Sequence, residues 1–271
     1  MQKVYAILDL NYFRKIDSEF FRNNPNMILI IPDSGLMEMC KSDSWKETMF
    51  RSLKALSDHP TRCNTTIGIG QAFRYETKNR HSIDGKWFDI ELTQLFRKLI
   101  IEISQSKDSE VIKRMEKDMI SIQDKLKNDE LNDTMNKKML GDQINIIKEM
   151  ISPENLKALR AKKITLQEKL DTIKECAPRF LREGYFNQAG FPKNVIGNFL
   201  KQKPALLRWT YLRIWYELDW IEKGGFETSK TITNDNFDQD YILTATFFDK
   251  FLSDDQKAID AYNAISKIIN T

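Results

Sequence analysis

Two five-residue apolar runs, Val4-Tyr5-Ala6-Ile7-Leu8 and Met27-Ile28-Leu29-Ile30-Ile31, each meet an acid almost as soon as they end. A strand that is apolar at every position has no face to give to water. It belongs in a parallel sheet covered by helices on both sides. The first run ends in Asp9-Leu10-Asn11, and the second ends in Pro32-Asp33 and opens a helix that carries Glu38. Near the C-terminus, Asp238 is read as starting a helix, and Phe251-Leu252-Ser253-Asp254-Asp255 as one more short strand ending in acid. Open α/β sheets bind ligands outside the carboxyl ends of their strands, and carboxylates gathered there suit a hard divalent cation. The expected chemistry is metal-assisted attack on a phosphodiester.

The fold class expected is α/β: a Rossmann-like parallel sheet flanked by helices and interrupted by an α-helical, coiled-coil-like insertion. Strands are expected over 4–9, 27–31 and 250–253, with an additional one at 65–69. Helices are expected over 12–22, 34–41, 46–57, 87–103, 194–201, 205–223, 238–248 and 256–269. Gly68-Ile69-Gly70 is a lone G-x-G without further glycines or a phosphate-loop lysine, and it reads as a turn.

The middle of the chain differs in composition. From Arg97 to Arg179 there is no Phe, Tyr or Trp, although both flanks are rich in them. Ile112, Met115, Met119, Ile122 and Leu126 alternate in spacing between three and four, and Leu140, Ile144, Ile147 and Ile151 repeat the pattern. A third run, Leu156, Leu159, Leu166, Leu170 and Ile173, follows Ser152-Pro153-Glu154, a good helix start. The expected organisation is an α/β N-terminal part at 1–103, a helical hairpin or small bundle at 104–178, and a C-terminal part of the same α/β domain at 179–271. An exposed heptad seam needs another helix to cover it, so 104–178 is expected to bind a protein partner or a second copy.

The ends of the chain resemble the PIN-domain nucleases. Tyr5-Ala6-Ile7-Leu8-Asp9-Leu10-Asn11 is similar to that family's opening strand, with an Asp followed two residues later by Asn or Ser. Ile30 to Met39 resembles the second motif, in which strand and proline lead to a Glu on the next helix, here Glu38. Asp238-Gln239-Asp240-Tyr241-Ile242-Leu243-Thr244-Ala245-Thr246 resembles the third, and Ser253-Asp254-Asp255 the fourth, all in the family's order. The resemblance implies a nuclease using Mg2+ or Mn2+, acting on RNA in preference to DNA, and leaving a 5′-phosphate and a 3′-hydroxyl. It carries Asp9, Glu38, Asp238 and Asp255 over as the catalytic, metal-binding set. Asn11 and Ser253 are assigned to orienting carboxylate or substrate, since a neutral amide or hydroxyl can do this without adding charge. Asp235 and Asp240 stand close to Asp238; Asp238 is preferred because Ala245 then falls seven residues on, as in the family. Each acid also has an ordinary use, as a strand end or a helix cap.

Composition narrows the alternatives. Two histidines and three widely spaced cysteines give no zinc spacing, no disulfide framework and no paired-histidine mechanism. No stretch has the length of a membrane span and the N-terminus is unlike a signal peptide, so the cytoplasm is the expected location. A formal net charge of +3 requires a nuclease to concentrate its cations locally. Candidates are Arg74, Lys78, Arg80 and Lys86 around Phe73, Tyr75 and Trp87, and Lys201, Lys203, Arg208 and Arg213 among Trp209, Tyr211 and Trp215. In the second cluster, the helical spacing of Leu206, Leu207, Tyr211, Leu212, Trp215, Leu218 and Trp220 points to a core face instead.

Overall fold

The computed structural model describes residues 2–40, 43–106, 110, 112–114, 116, 120, 124, 133–224 and 229–271, leaving aside the side chains of residues 14, 133–137 and 229–233. The chain divides into two compact units. The first comprises Met1–Ile69, Gly85–Leu131 and Asp240–Ile259; the second comprises Gly70–Asp84, Asn132–Gln239 and Asp260–Thr271.

The first unit is built on a four-stranded sheet, β1 (Val4–Leu8), β2 (Met27–Ile31), β3 (Cys63–Thr65) and β4 (Lys250–Leu252), in the order β3-β2-β1-β4. Every pairing is parallel, with Ala6 opposite Leu29, Ile7 opposite Phe251 and Ile30 opposite Asn64. Ala6, Ile7, Leu8, Leu29, Ile30 and Ile31 are wholly buried, as strands covered on both faces must be. The short helices α1 (Ser18–Asn23), α2 (Asp33–Cys40) and α3 (Trp45–Leu53) connect and cover the strands, and α5 (Ile90–Gln105) belongs to the same unit, whereas α4 (Ile69–Asn79), which lies between β3 and α5 in the chain, falls in the second unit from Gly70 onward.

Several boundaries differ from those expected. A 3-10 segment, Leu10–Lys15, precedes α1, because Asp17 accepts from the Phe20 N–H and caps a separate helix. The third strand lies at Cys63–Thr65, and the segment read as a turn begins α4. Helix α5 begins at Ile90, with Asp89 accepting from the Leu92 N–H, whereas Trp87 lies in the preceding connection.

In the second unit, α6 (Asp133–Met150), α7 (Pro153–Arg160) and α8 (Leu166–Phe180) are joined by α9 (Lys193–Lys201), α10 (Ala205–Lys223) and part of α11 (Ser229–Ala245). The final helix, α12, spans Gln256–Ile269. The boundaries expected at 103/104 and 178/179 are not where the units divide. The reason is α10, which is buried nearly all round and packs against α6, α7 and α8. Leu140, Ile144, Ile147, Ile151, Leu159, Leu170 and Ile173 are buried, while Leu166 remains exposed. This seam is therefore covered within the chain. Ile112 is buried in the core of the first unit; Met115, Met119, Ile122 and Leu126 lie outside the described residues.

Candidate active site

The strand order locates the place to look. From β1 the chain moves outward through β2 to β3, and only then crosses to β4 on the other side of β1. The carboxyl ends of β1 and β4 thus flank the switch point, where ligands of open parallel sheets settle. Asp9 directly follows β1, and Ser253 directly follows β4. The Asp9 N–H donates to the Leu252 carbonyl at 3.0 Å, extending the ladder by one bond and fixing the Asp9 side chain at this edge.

Asp9 is 3% exposed. It stands at the N-cap position of the 3-10 segment, yet its side chain makes no capping hydrogen bond. Instead Oδ2 accepts the Ser253 hydroxyl at 2.5 Å. Burial pushes the Asp9 carboxyl above its ordinary range, and the negative charges of Glu38 and Asp255 push the same way. The Ser253 hydroxyl and the Asn11 backbone N–H oppose the rise without cancelling it. Two of the other sequence-predicted acids, Glu38 and Asp255, are therefore each close enough to act on Asp9.

Each neighbour is held differently. Glu38 is half-buried on α2 and accepts the hydroxyl of the buried Tyr241 at 3.1 Å. Gly35 leaves room for that ring, since a Cβ there would stand 2.9 Å from Tyr241 Oη. Asp255 Oδ1 accepts from the Lys257 and Ala258 N–H groups at 2.7 and 3.2 Å, so it caps α12. The Asp255 N–H donates to Ser253 Oγ at 3.0 Å, which joins cap and site through one hydroxyl. Asn11 is exposed.

Helix α11 corrects one expectation. It begins at Ser229, so Asp238 lies within the helix and does not open it. Asp238 is partly exposed and belongs to the second unit. Asp235, also in that unit, accepts the indole N–H of Trp220 at 3.2 Å. Asp240 is the acid of this helix that falls in the first unit. Two residues on an α-helix are about 200° apart around its axis, so Asp238 and Asp240 occupy opposite faces.

Asp240 has a partner the sequence did not single out. Burial raises its carboxyl to about 7, and the charge of Asp33 adds to the rise. Asp33 is itself raised by burial, against the pull of the Ser34 N–H, which its Oδ1 accepts at 2.8 Å. Its Oδ2 lies over Gly68, where a Cβ would approach to 2.5 Å. Ser34 Oγ and Thr66 Oγ1, from the ends of β2 and β3, are buried without a hydrogen-bond partner. The signal available in the sequence was Pro32-Asp33 after a buried strand, the same strand-then-acid pattern that marked Asp9.

The donor types suit magnesium or manganese, which prefer carboxylate oxygens. Among the described residues, however, no group of three or more His, Cys, Asp or Glu stands close enough to hold a metal ion. Magnesium sites are usually completed by waters and substrate phosphates around one or two carboxylates, and Asp9 with its acidic neighbours fits that kind of site.

Most of the proposed base-stacking aromatics are used internally. Trp87 is 2% exposed and packs on Phe247, and Trp209 meets Phe73 edge to face. Arg208 is buried and donates to the Lys203 carbonyl at 2.7 Å. Arg74, Lys78, Arg80, Lys86 and Lys201 remain exposed. Among the described residues, no helix is long and apolar enough to cross a membrane.

No protein-family model, curated protein or solved structure matches the chain.

Proposed function

We propose that this protein is a metal-dependent nuclease that hydrolyses phosphodiester bonds, of RNA in preference to DNA, at the edge where β1 and β4 end. One observation carries this reading: a buried carboxyl, Asp9, lies at the switch point of a parallel sheet, and the charges that act on it, Glu38 and Asp255, are both negative. Like charges so placed favour the arrival of a cation. Asp9, with Glu38 and Asp255, would hold it, and Ser253 fixes the rotamer of Asp9. Of the acids on α11, Asp240 supports the assignment better than Asp238, because it shares the first unit with the other three.

A bound magnesium or manganese ion would lower the pKa of a water and offset charge on the phosphate. The exposed amide of Asn11 is available to a phosphate oxygen at the rim. In the reaction the water oxygen bonds to phosphorus, the P–O3′ bond breaks, and the leaving oxygen takes up a proton. The products are a 3′-hydroxyl and a 5′-phosphate.

A second reading is favoured by a specific observation. Asp255 caps α12 and Ser253 ties that cap to Asp9, bonds that would serve equally well in a catalytically silent scaffold acting through its helices. Purified protein and an Asp9→Asn, Glu38→Gln variant, incubated with labelled single-stranded RNA, single-stranded DNA and duplex DNA, separate the two. Cleavage that requires Mn2+ or Mg2+, stops with EDTA and is lost in the folded variant supports the nuclease. Equal cleavage by both proteins, or none with any substrate, sinks it in favour of the scaffold.

A further inference from the structure

The second unit contains a cavity of about 520 Å³ between α6, the end of α7 and the last turn of α10. That volume lies in the range of small-molecule sites. Its apolar lining comes from Ile144, Ile221 and Trp220, all buried. Three cations, Lys148, Arg160 and Lys223, line it together with one acid, Glu222. That acid is engaged by Lys169 at 2.5 Å, which leaves the lining with an excess of positive charge. Lys223 also pairs with Asp219 at 2.8 Å, on an exposed side chain where such a pair is weak. The negative end of α10 is muted, because the Gly224 N–H caps the Trp220 and Ile221 carbonyls.

Gly141 adds a separate argument. It sits inside α6, lines the cavity, and a Cβ there would meet nothing within 4 Å. Glycine inside a helix is less favourable than alanine, so the position forgoes stability without a packing reason. What the missing side chain provides is open volume in the cavity.

We propose that this cavity binds a small anion carrying a flat apolar group, of the chemistry of a mononucleotide. Its phosphate lies among Lys148, Arg160 and Lys223, and its ring lies over Ile144 and Ile221. The site does not depend on the carboxylate edge of the first unit.

Titration calorimetry of the full chain with AMP, ATP, adenosine and inorganic phosphate tests it. AMP or ATP is expected to bind, with adenosine and phosphate each at least tenfold weaker. Binding should weaken at least tenfold in Lys148→Gln, Arg160→Gln, where both substituted side chains reach solvent. It should vanish in Gly141→Leu, whose thermal midpoint should not fall, and should be unchanged in Asp9→Asn. Absence of AMP and ATP binding at millimolar concentration overturns the proposal. So does binding that survives both the charge variant and the cavity-filling variant.

Discussion

Two buried carboxyls in this chain live in opposite surroundings. Glu76, in the second unit, is wholly buried and accepts three backbone N–H groups, from Ile83 at 2.9 Å, Ala205 at 2.7 Å and Leu206 at 3.0 Å. Burial raises its carboxyl, while those donors and the charge of Arg208 pull it back. It caps the start of α10 from a distance, supplying the acceptor that Pro204, with no side-chain cap of its own, does not. Asp9 has the Ser253 hydroxyl and the Asn11 backbone N–H on its side and faces two acids. A carboxylate saturated with donors does structural work; one crowded by its own kind is held in tension that a cation or a proton relieves.

The largest expected effect comes from breaking the first of these. Glu76→Ala leaves three buried N–H groups without their acceptor, and each orphaned donor costs about 1–3 kcal/mol. A loss of about 3 kcal/mol or more in denaturant unfolding is expected, with Glu76→Gln milder because one acceptor oxygen remains. Asp9→Asn should behave in the opposite sense. Removing a charge that burial and two neighbours disfavour should leave stability unchanged or raise it by about 1 kcal/mol, while metal-dependent cleavage disappears. If Asp9→Asn destabilises the fold as strongly as Glu76→Ala, the contrast between the two sites fails.

The Asp33 and Asp240 carboxyls sharpen the contrast through pH. Asp240 titrates near 7 in the folded chain and near 3.8 unfolded, so between those values the folded state binds more protons. Stability from this group is present at the acid end of that window and is lost as pH rises through about 7. Its slope is at most about 1.4 kcal/mol per pH unit. Asp240→Asn should flatten the pH dependence of the unfolding midpoint between pH 4 and 7; an unchanged slope would show that Asp240 is not held as a neutral acid.

How much of this was legible follows from the kind of signal each part carries. β1 and β2 were readable because five consecutive apolar residues bounded by polar ones suit a buried strand, β4 from Phe251-Leu252 before Ser253, and α10 because its start and stop are marked by Pro204 and Gly224. β3 was misplaced because Cys63-Asn64-Thr65 has no such run; its Thr65 is secured by a long-range bond, the Thr65 N–H donating to Thr93 Oγ1 at 3.0 Å. α4 was missed because two glycines at its start look like a turn. The start of α11 was missed because no apolar period runs through Ser229 to Asn234. That Glu38 and Asp255 act on the Asp9 carboxyl could be anticipated from the strand ends and from the resemblance. The pairing of Asp33 with Asp240 could not, because it depends on the rotation of a helix about its axis, which a list of nearby acids leaves undetermined.

A smaller effect should come from Gly35→Ala. The new methyl would stand 2.9 Å from Tyr241 Oη, and that hydroxyl is the donor to Glu38. The ring must shift by a few tenths of an ångström, so a stability loss of about 1 kcal/mol and a several-fold drop in cleavage rate are expected. Tyr241→Phe, which removes the hydroxyl without moving the backbone, should reproduce the rate effect if it arises through Glu38.

The smallest effect expected on the proposed cleavage is that of Asp238→Asn. The family order favours Asp238, whereas the helix brings Asp240 to the first unit and turns its neighbour two positions away to the opposite face. If geometry decides, Asp238→Asn keeps cleavage within about twofold of the parent, since surface substitutions are usually worth less than about 0.5 kcal/mol. Asp240→Asn should then cost far more in rate. The reverse ranking would mean that the face of α11 carrying Asp240, whose carboxyl feels the charge of Asp33, is not the face that serves cleavage.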